Sequence, residues 1–561
     1  MAKIIFKPLT SQQSVLFPEN IGDRIPANHP VRIVNQVVDG LNIDILLDAY
    51  KSGGTSIFHP RMMLKVLFYS YLNNIYSCRK IEKALQENIY FMWLSGNSKP
   101  DFRTINMFRG KRLKQHIQTL FSEVVVMLNE LSLVSLDIQF IDGTKIESVS
   151  NKYSFVWKGS VEKNKAKLEE KIKSVLQEIE STIKTDSAVE PTELKTVDSH
   201  QLQNKLQELN SRIESMDKKQ KKKVETIEKE HLPRLIKYEI QLDILGERNS
   251  YSKTDPDATF MRMKEDHMKN GQLKPAFNVQ ISTENQFITN FSIHQRAGDT
   301  ATLISHLKQF ETLYQKQSNT VVADAGYGSE ENYNYMENNE IDAYVKYNYF
   351  HKEQKRSFKK DAFHVQNLFY NPEQDFFICP MGQKMVKRGM GKRTSDLGYV
   401  SNVTYYKAIR CEGCPLRCLC HKGKNDRVLE INHQLQNYKQ KARERLLSER
   451  GRKLRGQRCI EPEAVFGQLK FNNKFNRFSL RGLDKIILEF GIAAISHNLR
   501  KLTKAMLKNK NSGAYQQFLR SYKQLMRKKM QIMLRIFTFS NFESKIMPTN
   551  YYCSKIQNIA A

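Results

Sequence analysis

The sequence predicts a mixed α/β protein, with a sheet-containing core between helical segments and a helical insertion within the core. Three observations carry this prediction. Apolar residues recur at helical spacing over roughly the first 125 residues, short apolar runs typical of strands occur between 136 and 347, and two heptad-like segments separate the first strand signal from the later ones. Because a chain of 561 residues is too long for one hydrophobic core, about two to four domains are expected.

The charge balance points to an anionic partner. Lys and Arg number 89 against 59 Asp and Glu, a formal net charge of +30. Nucleic acid is the first candidate, although ribosomal and membrane-surface proteins are also basic. A hydrophobic content of 40% favours a folded protein over a disordered basic tail.

The start of the chain lacks the apolar stretch of a signal peptide and no window is apolar enough to span a bilayer, so we expect a cytoplasmic protein without a membrane partner.

The first 130 residues are expected to form a compact helical domain. Helical spacing runs from Val31 to Leu47, His59-Pro60 begins a second helix, Ser77 is an N-cap candidate for a third, and Asp101 opens a fourth. A bundle that carries Arg and Lys suits DNA binding. The alternative is a bundle that only packs on the next domain.

Two heptad-like segments follow the first predicted strand. Their apolar positions lie three or four residues apart, and a loop at 185–191 separates them. This pattern predicts an antiparallel coiled-coil hairpin within 158–254. The basic run 218–223 reads as a solvated helix face. The apolar positions are Leu168, Ile172, Val175, Ile179 and Ile183, then Leu202, Leu206, Leu209, Ile213 and Met216.

Strand signals surround this insertion. Residues 136–142 form an apolar run that ends at Asp142, and further strand-like runs occur at 276–281, 287–293, 320–324 and 343–347. A helix is predicted between the third and fourth of these runs. Strands interleaved with a helix in this way indicate the mixed α/β core.

Cysteines concentrate between 379 and 420. Two separated groups of thiols can close a tetrahedron around a structural Zn²⁺, and the free-thiol alternative stays open. Because the compartment is reducing, no disulfide frame is expected. The preferred ligand set is Cys379, Cys411, Cys414 and Cys420, with Cys418 or His421 as substitutes.

Three acidic residues, far apart in the chain, stand in distinctive local strings. Asp142 and Asp324 end predicted strands, and Glu463 opens a predicted helix. Carboxylates that converge from strand ends and a neighbouring helix can hold two Mg²⁺ ions over a phosphodiester, since Mg²⁺ prefers oxygen ligands. Asp142 would bridge both ions, and the other two would each complete one. A single Asp at a strand end is more often a turn or cap residue, so the surrounding strings matter.

Those strings resemble the signature blocks of the DDE-type transposases of bacterial insertion sequences. Several independent blocks occur in the right order over roughly residues 15 to 505. They are a first-Asp block at 142–145 with 151–157, an internal signature at 254–258 and 277–280, a second-Asp block at 323–327, and a Glu block of Arg458, Glu463, Lys470, Phe478, 481–483 and 497–501.

The resemblance implies a ribonuclease-H-like catalytic domain with Asp142, Asp324 and Glu463 as metal ligands. It also implies two Mg²⁺ ions, for which Mn²⁺ can substitute. Glu461 is an alternative candidate for the third ligand. Glu463 is preferred because its distance in sequence from Phe466-Gly467 and from Lys470 matches the Glu block. Many relatives carry a Tyr shortly before the Arg of that block, whereas in this chain Arg455 stands three residues before it.

DNA contacts are expected from the Glu block and the residues after it. Lys470 lies seven residues after Glu463, two helical turns on, so it should share a face with that side chain and reach a phosphate. Arg458 could do the same, and basic residues continue at Arg477 and Arg481. Because a transposase must bring two DNA ends together, a homodimer or higher oligomer is expected.

The domain boundaries follow from these patterns. The predicted order is an N-terminal helical DNA-binding domain at 1–130, core segments at 131–157 and 255–350, a coiled-coil insert at 158–254, a Cys-rich insert at 351–450, core helices with the Glu at 451–505, and a basic tail at 506–561.

The expected function is metal-dependent cleavage at insertion-sequence ends and transfer of the 3′-hydroxyl strand into target DNA. One alternative is a nuclease of the same fold that does not join strands. The other is an inactive or domesticated derivative that only binds DNA.

Overall fold

The computed structural model describes most of the chain, with gaps. The described residues are 20–48, 50, 57–184, 198–211, 214, 216–263 and 271–508. The predicted loop at 185–191 and the basic tail beyond residue 508 lie outside them. The described residues fall into two compact units. One comprises the residues up to Asn106, Val126–Ser132 and those from Ile495 on, and the other comprises Met107–Val125 and Leu133–Ala494.

Short helices build the N-terminal part. His29 and His59 each precede a proline, and their imidazole Nδ1 atoms accept hydrogen bonds from the backbone N–H of Val31 (3.3 Å) and Arg61 (3.2 Å). Proline at the first helical position needs no N–H partner, so these caps start α1 and α3 cleanly. The helices are α1 (Pro30–Gly40), α2 (Asp44–Leu47), α3 (Pro60–Leu72), α4 (Cys78–Glu87), α5 (Ile89–Ser95), α6 (Phe102–Met107) and α7 (Ile117–Glu130).

Within the described residues, the segment 158–254 contains four α-helices, where the heptad spacing predicted two. They are α8 (Lys158–Lys184), α9 (Ser199–Ser211), α10 (Lys218–Thr226) and α11 (Leu232–Leu245). The predicted apolar positions of α8 and α9 do share one core, with Val175 only partly buried, but Val224, Ile227 and Leu235 pack into it as well. The lysine-rich start of α10 hid these few apolar residues. The side chain of Ile183 and residue Ile213 lie outside the described residues.

A six-stranded mixed sheet forms the core of the larger unit. Its order is β4-β5-β1-β7-β8, and β6 pairs with the same edge of β5 as β4 does. β1 is antiparallel to β5 and parallel to β7, which is parallel to β8. The strands are β1 (Ile138–Glu147), β2 (Phe155–Trp157), β3 (Ser250–Ser252), β4 (Thr259–Arg262), β5 (Leu273–Glu284), β6 (Phe287–His294), β7 (Thr320–Ala323) and β8 (Asp342–Val345).

Helices connect the strands on the parallel side of the sheet. α12 (Leu303–Tyr314) links β6 to β7, and α13 (Glu330–Asn338) links β7 to β8. The predicted end of the first strand at Asp142 is wrong, because β1 continues to Glu147. Residues after Asp142 keep pairing with β5, so the polar sequence Gly-Thr-Lys is part of the strand.

The Cys-rich segment has a sheet of its own, which the sequence pattern did not predict. Five antiparallel strands run in the order β13-β12-β11-β10-β9. The helices of this segment are α14 (Phe350–Glu353), α15 (Arg356–Lys359) and α16 (Arg417–Cys420), and its strands are β9 (Phe369–Asn371), β10 (Phe376–Ile378), β11 (Lys384–Thr394), β12 (Val400–Ala408) and β13 (Val428–Ile431).

The core helices begin earlier than predicted, at 433 rather than 451. They are α17 (His433–Leu447), α18 (Glu449–Arg458), α19 (Pro462–Gly467) and α20 (Leu483–Lys508). Tyr438, Ala442, Leu446 and Leu454 pack against the buried side chains of β1, β7 and β8. The polar composition of 433–458 concealed this buried stripe.

Candidate active site

The pairing of β1 with β7 brings Asp142 and Asp324 to neighbouring positions in the sheet. Parallel pairing joins Phe140 of β1 to Val322 of β7, so continuing that register by two residues sets the two aspartates side by side. Asp142 lies within β1 and is nearly buried, whereas Asp324 directly follows β7 and its side chain is 41% exposed. Its Oδ1 accepts a hydrogen bond from Gly326 N at 2.8 Å, which fixes the carboxylate at the start of the next turn.

Glu463 joins them from the first turn of α19. The short helix begins with Pro462 at its first position, and the Glu463 side chain is 48% exposed. The rival Glu461 points elsewhere, because its Oε2 accepts a hydrogen bond from Gln286 N at 2.7 Å. The structure therefore brings Glu463, and not Glu461, towards the two aspartates.

One cation links all three carboxylates. Nη2 of Arg458, the last residue of α18, lies 3.1 Å from Asp142 Oδ1 and 3.5 Å from Asp324 Oδ2, and Nη1 lies 2.8 Å from Glu463 Oε1. The arginine side chain is only 7% exposed. Charge-assisted pairs this close are strong when shielded from water. The sequence suggested Arg458 as a DNA contact, but here it binds the acidic residues and faces inward.

A fourth carboxylate, Asp299, lies beside this cluster and was missed by sequence reasoning. Its Oδ1 accepts hydrogen bonds from Asn278 Nδ2 (2.8 Å) and Gln280 Nε2 (3.0 Å) of β5. The Tyr327 hydroxyl donates to Gln280 Oε1. Burial raises the pKa of that hydroxyl well above its usual value, and the nearby carboxylates add to the effect, so it stays a neutral donor. The string Phe277-Asn-Val-Gln280 thus supports the aspartates from the neighbouring strand.

The other predicted basic residues occupy different environments. Lys470 is buried, and its Nζ donates to the carbonyl of Lys145 at 2.9 Å. Residues 468–472 form a π-helical turn, so seven residues no longer equal two α-helical turns and the expected shared face with Glu463 does not follow. Arg477 is half exposed, with its Nε 3.2 Å from the Ser148 carbonyl, and Arg481 is exposed.

Lys346 is a further basic residue near the cluster that the sequence did not single out. It follows β8, and its backbone N–H donates to the Ala323 carbonyl at 3.3 Å. Burial lowers the pKa of its amine, as does the charge of Arg458, while Asp324 acts in the opposite direction. Lys346 lies near Asp324 only because β7 and β8 are neighbours in the sheet, and no local sequence pattern predicts that order.

The internal signature at 254–258 has a structural task. Asp255 accepts hydrogen bonds from Ser148 Oγ (2.7 Å) and from Gly482 N (3.1 Å), and Asp257 Oδ2 accepts one from Leu483 N (2.8 Å). Carboxylates at a helix N-terminus satisfy free N–H groups and stabilise the helix dipole. This signature therefore fixes the start of α20 rather than supplying further site ligands.

The predicted zinc ligands lie near one another without converging on a metal position. Cys379, Cys411, Cys414 and Cys420 line one small cavity, but no group of three or more His, Cys, Asp or Glu residues within the described ranges is arranged to hold a metal ion. Arg427 donates instead to two of the sulfurs, Cys411 (3.3 Å) and Cys420 (3.1 Å). The cysteines of the described ranges are free thiols. Zinc is therefore not supported by the geometry.

Within the described ranges, the acidic cluster is likewise not a preformed metal cage, because the guanidinium stands between the carboxylates. The donors nevertheless fit Mg²⁺. They are carboxylate oxygens, the ligands that this ion prefers, and they already gather around one cation.

Two segments match known protein families. Residues 378–503 match a family described as Transposase DDE domain, and residues 19–111 match one described as Transposase domain (DUF772). Together, the two matches support a DDE-type insertion-sequence transposase. No curated protein and no solved structure matches it. The DDE match in this transposase contains Arg458 and Glu463, while Asp142 and Asp324 lie outside the matched range.

The N-terminal match covers α1 to α6 of the transposase. The family resemblance seen in the sequence is thus confirmed at both ends of the chain. Among the helices of the described residues, none has the length and apolar character needed to cross a bilayer.

Proposed function

We propose that this transposase cleaves DNA at the ends of an insertion sequence and joins the freed 3′-hydroxyl to target DNA. The observation that carries the proposal is the meeting of Asp142, Asp324 and Glu463 around a single cation. These residues come from two adjacent strands and one helix, separated by long stretches of sequence. Such convergence is expected of a metal-dependent phosphodiester site.

The topology supports a ribonuclease-H-like catalytic domain. Three antiparallel strands (β1, β5 and β6) precede two strands parallel to β1, and a helix enters before each of the last two. Asp142 lies on the central strand. The helical and Cys-rich segments then stand as insertions in this core, after β2 and after β8.

Asp142, Asp324 and Glu463 would hold two Mg²⁺ ions, or Mn²⁺ in their place, with Asp142 shared between them. The bound ions would supply charge stabilisation at the phosphate and lower the pKa of an attacking water or hydroxyl. Asp142 is held within β1, which pairs with β5 on one side and with β7 on the other. The exposed sides of Asp324 and Glu463 leave the site open to a DNA strand.

Two successive substitutions at phosphorus account for the proposed activity. In cleavage, a water oxygen bonds to phosphorus as the bond to the 3′-oxygen breaks, and that oxygen leaves as a 3′-hydroxyl. In joining, the same 3′-oxygen bonds to a target phosphorus and displaces the target strand's own 3′-oxygen. Because each step exchanges one P–O bond for another, one site can serve both.

DNA affinity would come from the basic surface. Arg477 and Arg481 are open to solvent in the segment before α20, whereas Arg458 and Lys470 would have to move to reach a phosphate. Phosphate contacts of this kind give affinity without sequence information.

We further propose that the N-terminal domain contacts the DNA ends and that the transposase acts as a dimer or higher oligomer, since two ends must be joined.

The proposal is tested with DNA that flanks the reading frame. The full-length chain is incubated with end-containing duplexes and with precut ends, with Mg²⁺ or with a chelator. We expect Mg²⁺-dependent nicks at the element ends and joined products from precut ends. Asp142→Asn, Asp324→Asn and Glu463→Gln should each reduce both reactions by about 100-fold or more while retaining DNA binding.

Asp342→Asn is the matched control, because Asp342 lies at the start of β8 and pairs with Arg445 and Arg450 away from the cluster. It should retain cleavage and joining. Nicks without joined products would mean a nuclease, and DNA binding without any metal-dependent cleavage would mean an inactive derivative. Either outcome would overturn the proposal, as would full activity of Asp142→Asn.

A further inference from the structure

Arg458 occupies an unusual place for a basic side chain in a DNA enzyme. It is buried, and its guanidinium is shared among three carboxylates rather than presented to a polyanion. Its Nε is also buried and has no hydrogen-bond partner. A buried N–H without a partner is costly, so the carboxylates themselves must hold the side chain in this position.

The guanidinium and a shared metal ion cannot occupy the site together. Nη2 contacts both Asp142 Oδ1 and Asp324 Oδ2, so it fills the space between the two aspartates. Asp142 and Asp324 would hold Mg²⁺ through their carboxylate oxygens, which the guanidinium contacts here. Two cations so close would also repel each other.

We propose that Arg458 is an internal counter-cation that occupies the carboxylate site in the metal-free transposase and leaves when divalent metal binds. The inference rests on the proposed metal site and adds a regulatory step to it. Without metal, the guanidinium offsets the repulsion among the three carboxylates. With metal, it is displaced, so metal loading and arginine release become one event.

The position of Arg458 in the chain permits this movement. It is the last residue of α18, and four residues, 459 to 462, separate it from Glu463. The exposed faces of Asp324 and Glu463 mark the side of the cluster that opens to solvent. A guanidinium released on that side would stand at the mouth of the site, where its planar fork suits a phosphate.

The first test measures Mn²⁺ binding to the full-length chain without DNA, by the electron paramagnetic resonance signal of free Mn²⁺. We expect Arg458→Gln to bind Mn²⁺ about tenfold more tightly than wild type, because a competing positive charge is removed. Asp142→Asn should bind more weakly. Arg450→Gln is the matched control on the same helix, since Arg450 contacts Thr320 and Asp342 instead, and it should bind like wild type.

The outcomes separate the two proposals. If Asp142→Asn leaves Mn²⁺ binding unchanged, the metal site itself is wrong and the proposed function fails. If Asp142→Asn weakens binding but Arg458→Gln binds no more tightly than wild type, the metal site stands. In that case Arg458 only orients the carboxylates, and the counter-cation proposal is overturned.

A second test needs no variant at Arg458. Wild-type protein is treated with phenylglyoxal, which modifies accessible arginines, and the peptide that contains Arg458 is quantified by mass spectrometry. Displacement predicts that saturating Mn²⁺ increases modification of Arg458 several-fold and leaves that of Arg450 unchanged. Equal or lower modification of Arg458 with Mn²⁺ would contradict the proposal even if Arg458→Gln fails to fold.

Discussion

At the scale of single residues, Gly143 shows how little space surrounds the acidic cluster. A Cβ atom at this position would lie 2.3 Å from Gln280 Nε2 and 2.9 Å from Asp299 Oδ1. The Gln280 amide cannot move away easily, because it is buried and hydrogen-bonded to Asn278 and Asp299. The residue after Asp142 must therefore lack a side chain for β1 and β5 to pair this closely.

Gly143→Ala should destabilise the protein by about 1–3 kcal/mol, since overpacking of a filled interior forces neighbouring groups apart. Urea unfolding of wild type and variant measures the difference. Gly159→Ala is the control, because nothing lies within 4 Å of the added Cβ at that helical position, and it should be at least as stable as wild type. An equally stable Gly143→Ala protein would show that β1 and β5 tolerate wider spacing.

Local sequence was sufficient to predict some site residues and insufficient for others. Asp142, Asp324 and Glu463 each stand in a recognisable string, and the structure brings them together. Asp299 and the inward pose of Arg458 could not be predicted in this way. Their places depend on which strands and helices become neighbours, and such long-range contacts leave no local pattern.

At the scale of elements, α20 depends on a remote carboxylate for its start. Asp255 is almost fully buried and joins Ser148, which follows β1, to Gly482, which precedes the helix. The contact ties two parts of the larger unit that are more than 300 residues apart in sequence. We therefore assign the Asp255 side chain to stability rather than to chemistry.

Asp255→Ala should lower the free energy of unfolding by about 1–3 kcal/mol, because the Ser148 hydroxyl and the Gly482 N–H lose a buried acceptor. Thermal or urea unfolding monitored by circular dichroism provides the value. Asp243→Ala, at an exposed position of α11, should have little effect. If both variants lose the same stability, the contact with α20 is not what Asp255 contributes.

Helices with caps and regular apolar spacing were predictable, and the small sheet was not. α3 starts at the His59-Pro60 pair as expected, and the heptad positions of α8 and α9 are buried together. The strands β9, β10 and β13 have only three or four residues and β11 is rich in Lys and Arg, so their alternation is weak in sequence. Their core, which includes Met385 and Tyr406, forms only when all five strands pair.

At the scale of the whole molecule, the helical segment after β2 and the Cys-rich segment after β8 leave the six-stranded sheet intact. β2 and β3 pair with each other, so the two ends of the helical segment lie close together. The Cys-rich sheet likewise lies between β8 and α17. The strands around Asp142 therefore pair in one sheet although these two segments separate them in the sequence. Neither the count of helices in the first insertion nor the sheet in the second followed from composition.

We predict that Asp142, Asp324 and Glu463 form one shared site for divalent metal. Fe²⁺ that replaces Mg²⁺ in the full-length protein generates hydroxyl radicals with ascorbate and peroxide, and these cut the backbone beside the bound ion. Mass spectrometry of the fragments maps the cuts. We predict three groups of cuts, next to Asp142, Asp324 and Glu463, all suppressed by excess Mg²⁺. Cuts absent from any one of these positions, or unaffected by Mg²⁺, would contradict the claim.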